Sequence, residues 1–229
     1  MPIVACITAI APMRLEPNHK AEMVNQLLFG EFAEVVDEHK DFYKISCIGY
    51  TYSGWCQQSQ VMQVDAIQQA DSFILNAIDE VYFNHLPIRV SIGSSFYQNT
   101  SIFKGVSIEY PSNSSTINFS KVTKNEVIII AEKYLNTPYV WGGRSVFGID
   151  CSGFVQQVFL ILGFQLPRDA YEQATLGTDI GFLNQAECGD LAFFDNEKGE
   201  IIHVGILVNN HTIIHAAGFV KKDGIDHLG

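Results

Sequence analysis

Basic residues are scarce in this chain. Its 229 residues include 14 Lys and Arg against 25 Asp and Glu, so the formal net charge is −11 at pH 7. A protein that binds a phosphate backbone needs cations that replace the condensed counterions, and no basic cluster interrupts the acidic balance. The composition therefore argues against a nucleic-acid partner.

The chain also lacks a long hydrophobic run. No stretch approaches the roughly 20 apolar residues that cross a bilayer, which argues against a membrane span. Residues 1–7 alternate like a β-strand and lack the basic segment and small-residue cleavage site of a signal peptide. We expect a cytoplasmic protein, although a periplasmic or secreted chain whose signal had been removed would share these features.

The cysteines lack the spacing of a metal site or a disulfide framework. There are five, Cys6, Cys47, Cys56, Cys151 and Cys188, and none forms a Cys-x-x-Cys pair. An odd, scattered set favours a reducing compartment. A Cys47–Cys56 disulfide in a secreted form is the alternative.

Turn signals and composition divide the chain into three parts. Residues 1–62 contain several short β-rich runs at close spacing, which predict a small barrel. The nature of residues 63–120 stays open: a second, degenerate barrel followed by a Ser/Asn-rich linker is one alternative, and residues 70–80 also have the pattern of a short helix. Residues 121–229 form the third part, which opens with the capping box Thr123-Lys124-Asn125-Glu126.

Residues 150–154, Asp-Cys-Ser-Gly-Phe, predict a thiol at a helix start. Apolar residues follow with a helical period, and Asp150 suits the N-cap, which leaves Cys151 in the first turn. Unpaired amides and the helix dipole there favour an anion, so we expect the pKa of the thiol to fall toward the nucleophilic thiolate. The alternative is that Cys151 is a small buried apolar residue on the helix face.

Two histidines, His203 and His215, fall on one predicted hairpin. The β-rich runs over residues 201–208 and 212–216 are separated by Asn209-Asn210, a turn signal. A loop centred near Asn209 would set the two histidines directly across from each other on one face, whereas a shift of one residue would separate them. A nucleophilic Cys needs a base held by a third group, so the pattern favours His203 as the base and His215 as its orienting partner. Two structural histidines are the alternative.

These segments resemble the NlpC family of papain-like cysteine peptidases. The resemblance covers residues 123–218 and rests on the order and spacing of five segments: Trp141-Gly142-Gly143, Asp150-Cys151-Ser152-Gly153-Phe154, Leu166-Pro167-Arg168-Asp169, Gly189-Asp190-Leu191 and His203-Val204-Gly205. It implies an α+β fold in which N-terminal helices of the catalytic domain pack on an antiparallel sheet. Many relatives continue further past the second histidine, so we expect the final edge of the domain, up to Gly229, to be short or truncated.

Residues 1–62 resemble a bacterial Src-homology-3 domain. The segments that carry this resemblance are Pro12-Met13-Arg14-Leu15, Gln26-Leu27-Leu28, Gly30-Glu31 and Gly54-Trp55. One or two small all-β barrels are therefore expected before the papain-like domain.

The resemblance also implies an activity. Members of the NlpC family cleave bacterial cell-wall peptides, typically between D-glutamate and a diamino acid. Carried over by position, Cys151 is the nucleophile, His203 the base and His215 the third polar residue. The expected substrate is a free murein peptide such as L-Ala-γ-D-Glu-diaminopimelate, and no metal or organic cofactor is required.

Several residues are candidates for substrate binding. Asp150 and Ser152 flank the nucleophile and could receive a free amino group, although an N-cap and a first-turn polar residue are the alternative roles. Arg168, with Asp169 beside it, could bind a carboxylate, or form a structural pair with an acidic neighbour. Trp141 and the glycines after it are expected to shape the floor of the cleft. In relatives with a preceding barrel, a tyrosine of the barrel helps to close the site, and Tyr52, or else Tyr50, has the matching position.

Two further functions stay open. A secreted hydrolase acting on intact, crosslinked wall would use the same thiol chemistry, with the barrel as a wall-binding module. A catalytically silent protein that binds wall peptides is the other, although the complete Cys-His-His set argues against it. The sequence does not decide between diaminopimelate and lysine, nor the oligomeric state.

Overall fold

The computed structural model describes residues 1–101, 103, 105–110 and 123–225. The described chain falls into two compact units. The first contains residues 1–110 and also Gly142–Val146, and the second contains residues 123–141 and 147–225. The predicted linker, residues 111–120, lies outside the described residues.

The first unit is built from β-strands. Seven of them form one antiparallel sheet in the order β3-β2-β6-β5-β4-β1-β7. Their bounds are β1 Ile3–Cys6, β2 Ile10–Arg14, β3 Met23–Leu28, β4 Phe32–His39, β5 Phe42–Cys47, β6 Ser53–Gln57 and β7 Val61–Val64, with a 3-10 turn at Gln58–Gln60. The sheet thus extends two residues past the predicted end of the first domain.

Smaller sheets follow in the same unit. Their strands are β8 Ser72–Phe73, β9 Ile78–Phe83, β10 Leu86–Ser91, β11 Ser95–Phe96 and β12 Ile108–Glu109. Two antiparallel sheets result, one of order β10-β9-β12 and one of order β11-β8. A further strand, β13 Arg144–Ser145, also belongs to this unit. The prediction of a short helix over residues 70–80 is therefore wrong. Ile74 and Val81 are fully buried in a core shared with Phe29 and Phe32, and this packing with cross-strand pairing outweighs the local helical pattern.

Three of the cysteines lie in the core of the seven-stranded sheet. Cys6, Cys47 and Cys56 are buried free thiols. Desolvation raises the pKa of Cys56 and of Cys6 to about 12 and that of Cys47 to about 11. These thiols therefore act as small apolar side chains in the packing of this unit.

A buried ion pair holds the segment Gly142–Val146 in the first unit. The guanidinium of Arg144, which is fully buried, donates two hydrogen bonds to the Glu31 carboxylate at 2.9 and 3.0 Å and a third to the Gln26 carbonyl at 2.7 Å. The backbone of this segment also approaches closely. Gly142 has φ +76°, and a Cβ there would lie 2.5 Å from the Met23 carbonyl oxygen, so glycine is required at this position.

The second unit packs three helices with a four-stranded antiparallel sheet of order β15-β16-β17-β18. The elements are α1 Lys124–Glu132, β14 Gly148–Ile149, α2 Cys151–Ile161, α3 Ala170–Gln173, a 3-10 turn Leu183–Gln185, β15 Leu191–Asp195, β16 Ile201–Asn209, β17 Thr212–Ala217 and β18 Phe219–Gly224. The predicted capping box starts α1, whose buried face packs against α2. The unit is α+β, and within the described parts of the chain no helix combines the length and apolarity that a membrane span requires.

Candidate active site

The local sequence places Cys151 as the first residue of α2. Asp150 has extended backbone, and its carboxylate accepts a hydrogen bond from the Gly153 N–H at 2.7 Å. This bond satisfies one of the free amides of the first turn and fixes where the helix begins. The predicted N-cap is thus confirmed. The helix is apolar nearly all round, which explains why it is buried between α1 and the sheet.

The Cys151 sulfur lies against β16 in a mostly desolvated position. Cys151 is 6% exposed, and burial together with the neighbouring Asp150 carboxylate raises its pKa. Hydrogen bonds from the backbone N–H groups of Val204 and Ser152, and the charge of Arg168, oppose this rise. The expectation that the helix start would lower the pKa is therefore wrong, because desolvation outweighs the amides.

The hairpin that carries the two histidines has a different register from the predicted one. Gly205, not His203, lies directly opposite His215, and the ladder shifts between Leu207 and Asn209. The centre of the loop is one residue later than expected. The residue on β16 that lies opposite a given residue of β17 is therefore two positions later than expected. Because side chains alternate with period 2, His203 and His215 still share one face, as diagonal neighbours.

The two imidazoles nevertheless meet. His203 Nε2 and His215 Nδ1 are 2.8 Å apart, with ring centroids 5.1 Å apart and planes inclined at 69°. Phe194 on β15 is the cross-strand partner of His203, and the centroids of their rings are 5.6 Å apart. His203 therefore contacts both an aromatic ring and a hydrogen-bonded imidazole, with Nδ1 as its remaining nitrogen. On β16, the Cys151 sulfur contacts the backbone of Val204, the residue after this histidine.

His203 is neutral at physiological pH. Burial, and then the nearby His215, lower its pKa to about 4. A neutral imidazole can accept a proton, which is the state that a general base needs. The free site thus contains a protonated thiol and a neutral imidazole.

Arg168 forms the structural pair that was one of its two predicted roles. Its guanidinium, 1% exposed, donates to both oxygens of Asp150, at 3.0 and 2.6 Å, and to the Ser152 hydroxyl at 2.9 Å. Gln173 in α3 donates to the Ser152 carbonyl at 3.0 Å. These contacts hold both residues that flank the thiol. Binding of substrate groups by Arg168, Asp150 and Ser152 stays a prediction.

The other predicted substrate-binding residues lie in different surroundings. Asp169 precedes α3 and is half-buried; burial raises the pKa of its carboxyl, with Arg168 opposing this and Glu172 adding to it. Trp141 belongs to the second unit and is 60% exposed. Tyr52 lies before β6 in the first unit and packs against that unit's core. Their roles toward a substrate stay predictions.

The sequence interpretation missed an acidic group at the far side of the histidine pair. Asp223 in β18 lies 2.9 Å from His215 Nε2 through Oδ2, and the same oxygen accepts from Lys221 at 2.7 Å. Lys221 is the direct cross-strand partner of His215. The sequence did contain a signal for this contact, namely the turn residue Gly218. A tight turn centred there pairs residue 215 with residue 221, and residue 223 then becomes a diagonal neighbour of His215.

A thiol at a helix start and a hydrogen-bonded imidazole pair on the adjoining antiparallel sheet are the kinds of group that nucleophilic acyl transfer uses. The architecture is consistent with a papain-like α+β domain. The NlpC/P60 family profile matches residues 136–227, so this part of the chain is similar to that family.

Individual relatives and a solved structure are also similar to this chain. The chain is 28% identical over 212 residues to the γ-D-glutamyl-L-lysine dipeptidyl-peptidase of Bacillus subtilis (strain 168), covering 83% of this chain and 71% of that protein. It is 43% identical over 104 residues to the probable endopeptidase p60 of Listeria innocua, covering 45% of this chain and 22% of that protein. A crystal structure of an NlpC/P60 family protein from Bacillus cereus has the same fold, with a TM-score of 0.84, 19% identity and coverage of 99% of this chain and 95% of that one.

Proposed function

We propose that this chain is a cysteine peptidase that hydrolyses the bond between γ-D-glutamate and a diamino acid in bacterial cell-wall peptides. The observation that carries the proposal is the imidazole pair, His203 and His215 at 2.8 Å, next to the β16 backbone that contacts the Cys151 sulfur. The substrates we propose are free peptides with an N-terminal L-alanine, as in cytoplasmic recycling of wall fragments.

In the acylation step, Cys151 attacks the γ-glutamyl carbonyl carbon. The thiol proton moves to Nδ1 of His203 as the carbon–sulfur bond forms, and the carbonyl electrons become an oxyanion. Amides at the start of α2 supply hydrogen bonds to that charge. His203 then protonates the amine of the diamino acid, and the carbon–nitrogen bond breaks to leave a thioester.

In the deacylation step, water replaces the departed amine. Nδ1 of His203 takes a proton from the water as its oxygen attacks the thioester. The tetrahedral intermediate collapses, the carbon–sulfur bond breaks, and the proton on His203 returns to the sulfur. The products are the free γ-carboxyl group and the amine, and both side chains regain their starting protonation states.

The names of the relatives support two parts of the proposal, namely the bond that is cleaved and the requirement for a free N-terminus on the substrate. A dipeptidyl-peptidase removes two residues from a free N-terminus, and the Bacillus subtilis relative carries that name for a γ-D-glutamyl-L-lysine substrate. Arg168 offsets the charge of one carboxylate through its pair with Asp150. In this proposal the neighbouring Asp169 carboxylate adds a negative potential that favours a substrate ammonium group.

The nucleophile is tested by replacing its sulfur. We expect Cys151→Ala to cleave L-Ala-γ-D-Glu-L-Lys at less than about 10⁻³ of the native rate. Mass analysis of the products measures this cleavage. The unfolding midpoint of the variant should stay close to the native value. The matched control is Cys188→Ala, since Cys188 is half-buried and lies in the loop before β15. Full cleavage by Cys151→Ala would reject the proposal.

An endopeptidase acting on intact wall is the second candidate. The 43% identity over 104 residues to a protein named probable endopeptidase p60 favours this candidate, because an endopeptidase needs no free N-terminus. Measuring cleavage of the free tripeptide, of its N-acetylated form and of purified sacculi distinguishes the two candidate functions. Cleavage of the free form alone supports recycling, and cleavage of the blocked form and sacculi supports wall hydrolysis. Binding without cleavage of any of them would indicate the silent binding protein.

A further inference from the structure

The histidine pair does not end the chain of hydrogen bonds at this site. His203 Nε2 meets His215 Nδ1 at 2.8 Å, and His215 Nε2 meets Asp223 Oδ2 at 2.9 Å. Three side chains from three neighbouring strands, β16, β17 and β18, therefore form one line of contacts. We propose that Asp223 is a positioning residue that fixes the tautomers of both imidazoles, a role that rests on the proposed function.

The proton positions follow from what each group can donate. An ionised carboxylate only accepts, so the proton of neutral His215 sits on Nε2, where it is donated to Asp223. Nδ1 of His215 then carries a lone pair and accepts from His203. The proton of His203 is thereby held on Nε2, which leaves Nδ1 unprotonated. That nitrogen is the one that takes the thiol proton in the proposed acylation step.

Without the carboxylate, the line of hydrogen bonds can run in the opposite direction. His215 could then donate from Nδ1, His203 would accept at Nε2, and the His203 proton would move to Nδ1. A protonated Nδ1 cannot act as the base. The two directions satisfy the imidazole pair equally well, so a group outside the pair has to choose between them, and the carboxylate does so.

The ionisation of Asp223 is secured by its surroundings. Lys221 donates to Oδ2 at 2.7 Å, and this bond together with the one from His215 lowers the pKa of the carboxyl. Among the described residues, Cys151 on α2 also lies beside the strand that carries His203, since its sulfur contacts the Val204 backbone. At pH 7.5 the carboxylate is charged and His203 is neutral, which is the state that the argument requires.

The decisive variant is Asp223→Asn, which keeps the size of the side chain but provides an amide that can donate to His215 Nε2. We expect kcat for tripeptide cleavage to fall about 10- to 100-fold with KM unchanged. This is less than the loss of about 10⁴ that follows loss of the aspartate in a serine-protease triad, because here a second ring stands between the acid and the base. The ring-nitrogen chemical shifts of ¹⁵N-labelled histidine at pH 7.5 should show His203 changing from the Nε2–H toward the Nδ1–H tautomer.

Asp195→Asn is the matched control, because Asp195 is an exposed aspartate at the end of β15 in the same sheet. It makes the same change of charge and should alter neither kcat nor the tautomers. Native kcat in Asp223→Asn, or a lower kcat with unchanged tautomers, would overturn the positioning role. Cys151→Ala separates the two proposals: if it is inactive while Asp223→Asn is fully active, only the tautomer inference fails, and if it is active, the proposed function fails.

Discussion

The proposed chemistry depends on the protonation of two side chains, and each is set by desolvation. Burial raises the pKa of Cys151 and lowers that of His203 to about 4. In both cases the neutral form is favoured, because a charge is poorly solvated there. In the proposed mechanism, proton transfer from the thiol to the imidazole therefore accompanies nucleophilic attack and is not complete before the substrate arrives.

A prediction for stability follows from the shifted pKa of His203. In the unfolded chain its pKa is about 6.5, whereas in the folded chain it is about 4. Between these values the unfolded state binds a proton that the folded state does not, so the free energy of unfolding should decrease as the pH falls from about 6.5 to about 4. Urea unfolding at pH 7.5 and pH 5 measures this decrease.

The variant His203→Gln should lose this part of the pH dependence. His211→Gln is its control, since His211 is exposed in the turn of the same hairpin, and this variant should keep the pH dependence of the native chain. An equal decrease in His203→Gln and in the native chain would contradict the shifted pKa.

At the scale of elements, the site depends on how closely β16 and β17 approach each other. Gly205 lies opposite His215, and a Cβ at position 205 would be 2.6 Å from Ile213 Cδ1 and 2.8 Å from His215 Cβ. The isoleucine side chain can rotate, but the Cβ of His215 moves only with its strand. Glycine at this position therefore sets the distance between the strands that carry the two histidines.

Gly205→Ala tests this spacing. We expect the free energy of unfolding to fall by about 1–3 kcal/mol, as in other overpacked sites, and kcat to fall because His215 is displaced from His203. Gly181→Ala is the control, since no neighbouring heavy atom lies within 4 Å of a Cβ there, and its stability should stay within about 0.5 kcal/mol. Denaturant unfolding and peptide cleavage measure both effects, and native values for Gly205→Ala would contradict the packing argument.

At the scale of the whole molecule, sequence domains and compact units do not coincide. The family profile matches residues 136–227 without interruption, yet Gly142–Val146 belongs to the first unit. The ion pair between Arg144 and Glu31 ties this segment to the first unit, because a fully buried guanidinium requires its partner. The stretch just before the nucleophile thus depends on residues more than one hundred positions earlier in the chain.

We expect Glu31→Gln to lower the free energy of unfolding by about 3–5 kcal/mol, because it leaves Arg144 buried with one partner removed. The double variant Glu31→Gln/Arg144→Met should recover part of this loss, since no unpaired charge remains. Glu132→Gln is the control: its pair with Lys222 is half-exposed and should contribute no more than about 1 kcal/mol. Urea unfolding of the full chain compares all three, and equal effects of Glu31→Gln and Glu132→Gln would contradict the buried role.

The sequence by itself determined the features that depend on near neighbours along the chain. The cap at Asp150, the first-turn position of Cys151 and the capping box before α1 all follow from hydrogen bonds between residues at most three positions apart. The shared face of His203 and His215 also follows from the alternation of a strand, even though the loop centre was misplaced by one residue.

Only the tertiary structure decided the features that depend on distant parts of the chain. It brought Arg168 to Asp150, added Asp223 to the line of imidazoles, and placed residues 72–73 and 78–83 in strands. It also reversed the expected shift of the Cys151 pKa. A helix start favours the thiolate through local amides, but the cost of desolvating a charge is set by every element packed around it, and that enclosure exists only in the folded chain.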